Sequence, residues 1–565
     1  MPLGIFLVIF ILFKLNYTES SEPIKSDGIG YYDYLPAFFI HHDLNRKDQN
    51  LLEDSESYQR LSKYGVYVEY QDHLINKYAV GTAVLQMPFF LVAQAISPET
   101  DDGYGPYFQE AVRAASYFYL GLGLILLFQL FKLYGINSWI IILCFLLIVF
   151  STPAYRYLDR EASFSHIYSF FAINLFAYWV KKFFLEKEAR YIVYAGLSIG
   201  LVVLIRNVDA LIILIVPFLA GSRSELKSGF NTLFKHWPYL LLGIASVFLV
   251  FTLQMGAWYL QSGDWLIYSY QGEGFKYWAE PKLMPLWFGY RKGLFLYTPI
   301  LFIAFLSTLH WLFQKKYFLF FTWFSFFMII SYVMASWWSW WYGASYGQRP
   351  FINYYLLFFL PFALFLKGLK WQWALPLVLI SLLSIPHNLI QLHQYQSRIL
   401  QWNYMNKERY WQVFLKTEPQ YQDLFWKEQY NFRWMQLEKE IELGDFEVEP
   451  HEMKRILRLS SKEIPNFDIL RAFRIELDDQ FEESDQSQVE IKIKYKGERV
   501  FWRINHTLMY QEKGFDKWQR GYVNYKVMPH TMDSEAFVEI LLFGGEKAKT
   551  FHNMKLKIYS QELPD

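Results

Sequence analysis

Five stretches of the chain set acids beside cations or tryptophans in patterns that could move a proton and hold an anion. The first is Ser26-Asp27-Gly28-Ile29-Gly30-Tyr31-Tyr32-Asp33-Tyr34. Asp27 is the first acid placed for proton chemistry, and Gly28 and Gly30 allow a tight turn against a ligand. Asp33, between two tyrosines, reads as structural. The second stretch carries His73, Asn76, Lys77 and Tyr78; the third, YLDREASFSH, carries Asp159, Arg160, Glu161 and His166. Tyr290-Arg291-Lys292 is the fourth, and Ser336–Pro350 (SWWSWWYGASYGQRP), with Trp341 and Arg349, is the fifth. A further polar point, Arg206-Asn207-Val208-Asp209, interrupts an apolar run.

Asp27 and Glu161 suit proton transfer, and Lys77, Arg206, Arg291, Lys292 and Arg349 suit a phosphate. Each has a plainer reading. Asp27 could be an exposed loop carboxylate, interfacial Lys and Arg are commonly anchors, and Arg206–Asp209 could be a self-satisfying pair. A tryptophan-rich loop is usually an interfacial belt, but a belt does not require Gly343, Gly347 and Arg349 behind it. His41-His42 and His73 stand apart, and no HxxxH, HExxH or CxxC pattern occurs. A divalent metal is possible, no spacing indicates one, and none is assigned.

The elements that position these residues belong to a membrane protein. Of 565 residues, 53% are hydrophobic and 21% aromatic, a load that suits apolar spans with interfacial belts. Mean hydropathy is only +0.09 because a polar C-terminal part dilutes an apolar front part. A net charge of +1 gives no field that would recruit nucleic acid. The single cysteine, Cys144, forms no disulfide within one chain and argues against a redox centre. Asn16-Tyr-Thr and Asn505-His-Thr match the glycosylation acceptor pattern, which is too short to carry weight.

Residues 3–13 are shorter than the roughly 20 residues of a full span, so a signal peptide is one reading. A retained first helix is favoured, because no small-residue cleavage site follows. Residues 17–112 form a large first outer loop in which 79–96 either crosses the membrane or lies flat in the interface. Apolar runs recur at about 113–131, 138–155, 165–180, 191–205, 207–221, 237–257, 293–313, 317–335, 351–366 and 371–388. With 79–96 flat, the short connections on one side hold twelve Lys/Arg against three acids, and the opposite ones hold seven against five. The positive-inside rule then gives a polytopic α-helical protein of about eleven transmembrane helices, N-terminus cytoplasmic and C-terminus outside. The run 191–221 suits two short helices meeting at Arg206–Asp209. Residues 1–388 would form the membrane domain, 389–445 a surface helical connector, and 446–565 an extracytoplasmic antiparallel β-sandwich. The last follows from period-two alternation at 473–477, 489–495 and 554–558, with further strands at 500–506, 521–528 and 536–543.

In this topology the five clusters all fall on the outer face. Over 1–390 the chain resembles the GT-C class of polytopic glycosyltransferases, which includes protein O-mannosyltransferases and aminoarabinose transferases. An early outer-loop acid matches Asp27, and a Lys before an interfacial helix matches Lys77. An acid-and-His region matches Glu161–His166, and the WWxW…G…GxR loop resembles 337–349. The family's acidic pair reads Asp27-Gly28 here, and its Lys-Pro-Pro-Leu reads Lys77-Tyr78-Ala79-Val80.

The resemblance implies transfer of a sugar from a polyprenyl-phosphate donor to a lipid, glycan or protein acceptor on the outer face of a bacterial inner membrane. Asp27 would be the general base, with Glu161 orienting the sugar or assisting. Lys77, Tyr78, His166, Arg206, Tyr290, Arg291, Lys292, Trp341 and Arg349 would bind substrate. A lipid donor removes the need for a nucleotide-binding domain, and none is visible. A transporter or lipid flippase using the same cations is the alternative, though no internal repeat supports it. A non-catalytic anchor presenting the sandwich is a third reading, and it would not need Arg206–Asp209 at depth.

Overall fold

The computed structural model describes Gly4 and residues 22–44, 65–270, 273–403, 405–422, 424–427, 436–464, 470–480, 488–495, 499–506, 509–510, 518–526, 537–544 and 548–560. The first apolar segment, 3–13, and Asn16 lie outside these residues apart from Gly4. The chain divides into two compact units, 1–421 and 422–565.

The first unit is mostly helical. Five helices are long and apolar enough to cross a membrane: Pro106–Leu133, Trp237–Ser262, Tyr317–Ser336, Arg349–Gly368 and Trp371–Gln396. The count reaches six if the bent pair Asn207–Ala220 and Arg223–Lys235 forms one span. The expected eleven is therefore not reproduced by helix length and composition among the described residues. The difference has local causes. The stretch 293–313 divides into Leu294–Tyr297, Pro299–Ser307 and His310–Phe313. Pro299 opens the second piece, at the first helical turn, where its missing N–H is unpaired in any case. Of the expected span 138–155, only the 13 residues Ser138–Phe150 form one apolar helix. The run 191–221 breaks at Arg206, whose extended backbone (φ −153°, ψ 115°) separates helix Arg190–Ile205 from the 3₁₀ stretch Asn207–Ile215.

Trp237–Ser262 and Trp371–Gln396 leave most of their apolar surface exposed, as lipid-facing helices do, whereas Arg349–Gly368 is largely buried at the centre of the unit. Close helix contact is set by small residues. A Cβ on Gly196 would lie 2.3 Å from the Gly243 carbonyl oxygen, which is why helices Arg190–Ile205 and Trp237–Ser262 can pack so tightly.

Strands β1 (Tyr67–Tyr70) and β2 (His73–Asn76) form a hairpin through Gln71 and Asp72, both at positive φ. That two-residue turn matches the twist of an antiparallel pair. Its end delivers Lys77 and Tyr78 to the start of helix Gly81–Ile96.

The helix expected to end at 388 continues to Gln396. Helices Lys407–Val413 and Leu424–Lys427 follow within the expected connector, but its proposed boundary at 445 falls inside strand β3 (Gln436–Val448). The remaining strands are β4 (Met453–Ser460), β5 (Leu470–Gln480), β6 (Gln488–Tyr495), β7 (Arg499–His506), β8 (Met509–Tyr510), β9 (Trp518–Lys526), β10 (Phe537–Phe543) and β11 (Lys549–Ser560). They form two antiparallel sheets, β4-β10-β6-β7 and β3-β11-β5-β9-β8. The alternating residues Phe473, Ile475, Leu477, Met554, Leu556 and Ile558 join Val489, Val538, Ile540 and Leu542 in one buried cluster drawn from both sheets. Period-two alternation thus supplies the core of the second unit.

Candidate functional site

Asp27 opens helix Asp27–Tyr32, so the two glycines after it are helical rather than parts of a turn. What they provide is close approach. A Cβ on Gly28 would overlap Ser163 Oγ at 1.9 Å, and one on Gly30 would overlap the Tyr78 ring at 2.0 Å. Asn76 ties the two segments together: its Nδ2 donates to the Gly30 carbonyl at 2.8 Å, and its Oδ1 accepts from the Tyr78 amide at 3.0 Å. Tyr34 donates to the Tyr78 carbonyl at 2.7 Å. The phenol of Tyr78 is thereby aimed at Asp27 Oδ1, to which it donates at 3.2 Å.

The other oxygen of Asp27 pairs with Arg349, which arrives from the end of the tryptophan-rich loop. Arg349 is the first residue of a 3₁₀ stretch leading into the buried helix Tyr355–Gly368, and its guanidinium lies over Phe164, 5.0 Å from the ring centre. Burial pushes the Asp27 carboxyl up, but the charges of Arg349 and Lys77 and the hydrogen bonds from Arg349 and Tyr78 outweigh it. The group is held below the usual carboxylate range. About a third of its side chain remains exposed, so a ligand can reach it.

Lys77 stands beside this centre, 5.3 Å from the Tyr78 ring centre, and pairs with Glu273 at 3.0 Å. Trp338 Nε1 donates to the second Glu273 oxygen at 3.3 Å. One cation and one indole N–H therefore converge on a single carboxylate. Glu273 was not among the sequence candidates; it is a lone acid in a polar loop, and the pattern carries no sign of its partner.

Arg206 lies at the helix break, within electrostatic range of Asp209, Tyr31, Tyr342 and Tyr354. Its Nη1 is buried and meets no hydrogen-bond partner among the described residues. Asp209 faces the charge of Arg206 and also accepts from Asn353 Nδ2 at 2.7 Å and the Tyr354 hydroxyl at 2.8 Å, so the two residues do not form a closed pair. His166 contacts Asn353 Oδ1 through Nδ1 at 2.9 Å and so belongs to this buried network.

The remaining candidates form separate groups. Glu161 pairs with Arg156 at 2.6 Å, and Arg156 lies over Tyr395 at 4.4 Å. Lys292 donates to the Trp341 carbonyl at 3.0 Å, to Ser345 Oγ at 2.8 Å and to the Gly343 carbonyl. Burial first, then Arg291 and Arg349, push its ammonium well below the ordinary lysine range. Arg291 bonds Asn403 and stacks 3.5 Å from the Trp341 ring centre. Tyr290 accepts from Trp411 Nε1 at 3.3 Å and packs on Tyr410. Lys292 and Arg291 thus fasten the tryptophan-rich loop. Asp33 accepts from Tyr67 at 2.5 Å and from Tyr104 at 2.7 Å, a structural role.

Among the described residues, no group of three or more His, Cys, Asp or Glu is arranged to hold a metal ion. No protein-family model matches the chain, and no curated protein matches it.

Proposed function

We propose that this chain is a membrane glycosyltransferase that moves a sugar from a polyprenyl-phosphate donor to an acceptor hydroxyl on the outer face of a bacterial inner membrane. The observation that carries the reading is the junction of Asp27, Tyr78 and Arg349. Three separate segments bring an ionised, ligand-accessible carboxylate beside Lys77 and within one cluster of cations. In this reading the chain has eleven spans, a cytoplasmic N-terminus, and C-terminal sheets packed as an extracytoplasmic sandwich.

The chemistry follows from the groups present. Attack of the acceptor oxygen on the anomeric carbon breaks the bond to the phosphate oxygen, and the hydroxyl proton passes to Asp27. The phosphate leaves as an anion beside Arg349, Lys77 and Arg206, which stabilise the departing charge because they are already in place and poorly hydrated. Lys292 and Arg291 are assigned instead to holding the loop that carries Arg349.

Incubating purified protein with a radiolabelled polyprenyl-phosphate sugar and membrane extract tests this. Label on an acceptor with release of unglycosylated carrier supports the transferase. Movement of intact label across a vesicle supports a transporter instead, and retention of all label on the carrier without movement overturns both.

A further inference from the structure

Near Arg349 the interior holds polar groups that the fold leaves unused. The Tyr157 hydroxyl, Glu161 Oε2, Arg156 Nε and both polar atoms of the Gln348 amide are buried, and none meets a hydrogen-bond partner among the described residues. Their side chains are enclosed: Tyr157 is 0%, Gln348 2% and Glu161 4% exposed. An unpaired buried polar group of this kind is costly, and a fold rarely gathers several without a partner to satisfy them.

Their placement is not scattered. Tyr157 and Glu161 both act electrostatically on Arg349, and Gln348 is its chain neighbour. Tyr157 packs edge-on to Phe164 at 5.7 Å and to His166 at 5.1 Å. Phe164 is also the ring beneath Arg349. The Arg156 guanidinium lies over the Tyr395 ring. Tyr157 and Arg156 are therefore fixed by aromatic packing, and Glu161 by its pair with Arg156, while the atoms named above stay open.

The character of the open groups selects the ligand. A second phosphate is disfavoured, because Glu161 presents a carboxylate oxygen. A purely cationic ligand is disfavoured by Arg156 and Arg349. Two acceptors (Glu161 Oε2 and Gln348 Oε1), two donors (Gln348 Nε2 and Arg156 Nε) and one group that does both (Tyr157) match a neutral, polyhydroxylated ring, whose hydroxyls also donate and accept. Aromatic walls suit its C–H faces.

We infer that Tyr157, Glu161 and Gln348, gathered around Arg349, form the sugar subsite of the donor. This rests on the glycosyltransferase reading above and adds to it where the sugar ring is held.

The test uses groups whose removal the fold should tolerate. Tyr157→Phe and Gln348→Met each delete polar atoms with no partner, so a structural role predicts unchanged or raised thermal stability. Binding of undecaprenyl phosphate is compared with binding of undecaprenyl phosphates bearing a hexose or a pentose, using full-length protein in nanodiscs. The expected result is that wild type prefers one glycosylated lipid over the bare one. The double variant should keep its affinity for undecaprenyl phosphate and lose about tenfold for the glycosylated lipid. A preference unchanged in the double variant, or absent from wild type, overturns the subsite while leaving the lipid-phosphate reading intact. Failure of wild type to bind even undecaprenyl phosphate overturns the reading on which the subsite rests.

Discussion

Asp27 and Arg349, 322 positions apart, share an ion pair in which the Asp27 carboxylate also accepts from Tyr78. The pair gives Asp27 a defined charge state and Arg349 a defined position. It also puts the two in competition, because a phosphate that engages Arg349 releases one Asp27 oxygen for an incoming hydroxyl.

Asp27→Asn tests that competition. The amide keeps the volume but removes the proton acceptor, so transfer should fall by about 10²–10⁴-fold, the usual contribution of a general base. Affinity for bare polyprenyl phosphate should hold or improve, since Arg349 no longer faces a carboxylate. Weaker phosphate binding in Asp27→Asn would show that Arg349 depends on Asp27 for its placement.

Arg349→Gln should move the acid limb of the pH–rate profile upward. In the intact site burial raises the Asp27 carboxyl, and Arg349 leads the interactions that lower it below the usual range. Removing Arg349 leaves burial less opposed, so the group protonates at higher pH. The same sign governs stability. A carboxyl depressed in the folded state contributes stability above its unfolded pKa and loses it as pH falls through the folded one. Wild type should therefore keep this contribution further into acid than Arg349→Gln. Coincident acid limbs in the two proteins would remove Asp27 from the proton transfer.

The candidate residues were legible one at a time and illegible as partners. Asp27, Lys77, Arg206 and Arg349 stand out because charge beside apolar runs is expensive, and the charges of Arg349 and Lys77 both act on Asp27. That Asp27 meets Arg349 while Lys292 serves Trp341, Gly343 and Ser345 depends on contacts between distant segments, and residue type does not encode them. Gly28 and Gly30 were read as turn residues because glycine permits turns; their use here is the room they leave for Ser163 and Tyr78. The break at Arg206 was visible because a charged tetrapeptide interrupts a 31-residue apolar run. The strands of the second unit were visible wherever alternation was strict, as at 473–477 and 554–558. Strands β3 and β4 were not, since their apolar residues are sparse among charges.

Lys292→Met separates anchoring from substrate binding. It removes the donor from two carbonyls and a serine hydroxyl, and a buried acceptor left unpaired costs about 1–3 kcal/mol. Thermal melting in detergent should drop clearly. Lys77→Ala, whose side chain is more exposed, should leave melting nearly unchanged and weaken undecaprenyl phosphate binding. The reverse pattern would return Lys292 to the phosphate site.

Gly30→Ala probes the approach of Tyr78. The added methyl would sit 2.0 and 2.4 Å from Tyr78 ring carbons, so the ring must shift. Overpacking of this kind costs about 1–3 kcal/mol, and here it would break the Tyr78–Asp27 hydrogen bond. Transfer should fall while Tyr78→Phe/Gly30→Ala is no worse than Gly30→Ala alone, because the hydroxyl has already lost its partner. Additive losses in the double variant would mean that Tyr78 acts through a contact other than Asp27.

Fusion reporters test the proposed orientation. The short connections assigned to the inside hold twelve Lys/Arg against three acids, the strongest asymmetry in the chain. An alkaline phosphatase fused after residue 400 should be active, because that position follows the last proposed span on the outer side. The same enzyme fused near residue 228, in the amphipathic helix Arg223–Lys235, should be inactive. Both sites exchange activity if Gly81–Ile96 crosses the membrane instead of lying flat, since one added crossing inverts every later connection. That result would also place Arg291, Lys292 and the tryptophan-rich loop in the cytoplasm, where transfer to an outer-face acceptor could not occur.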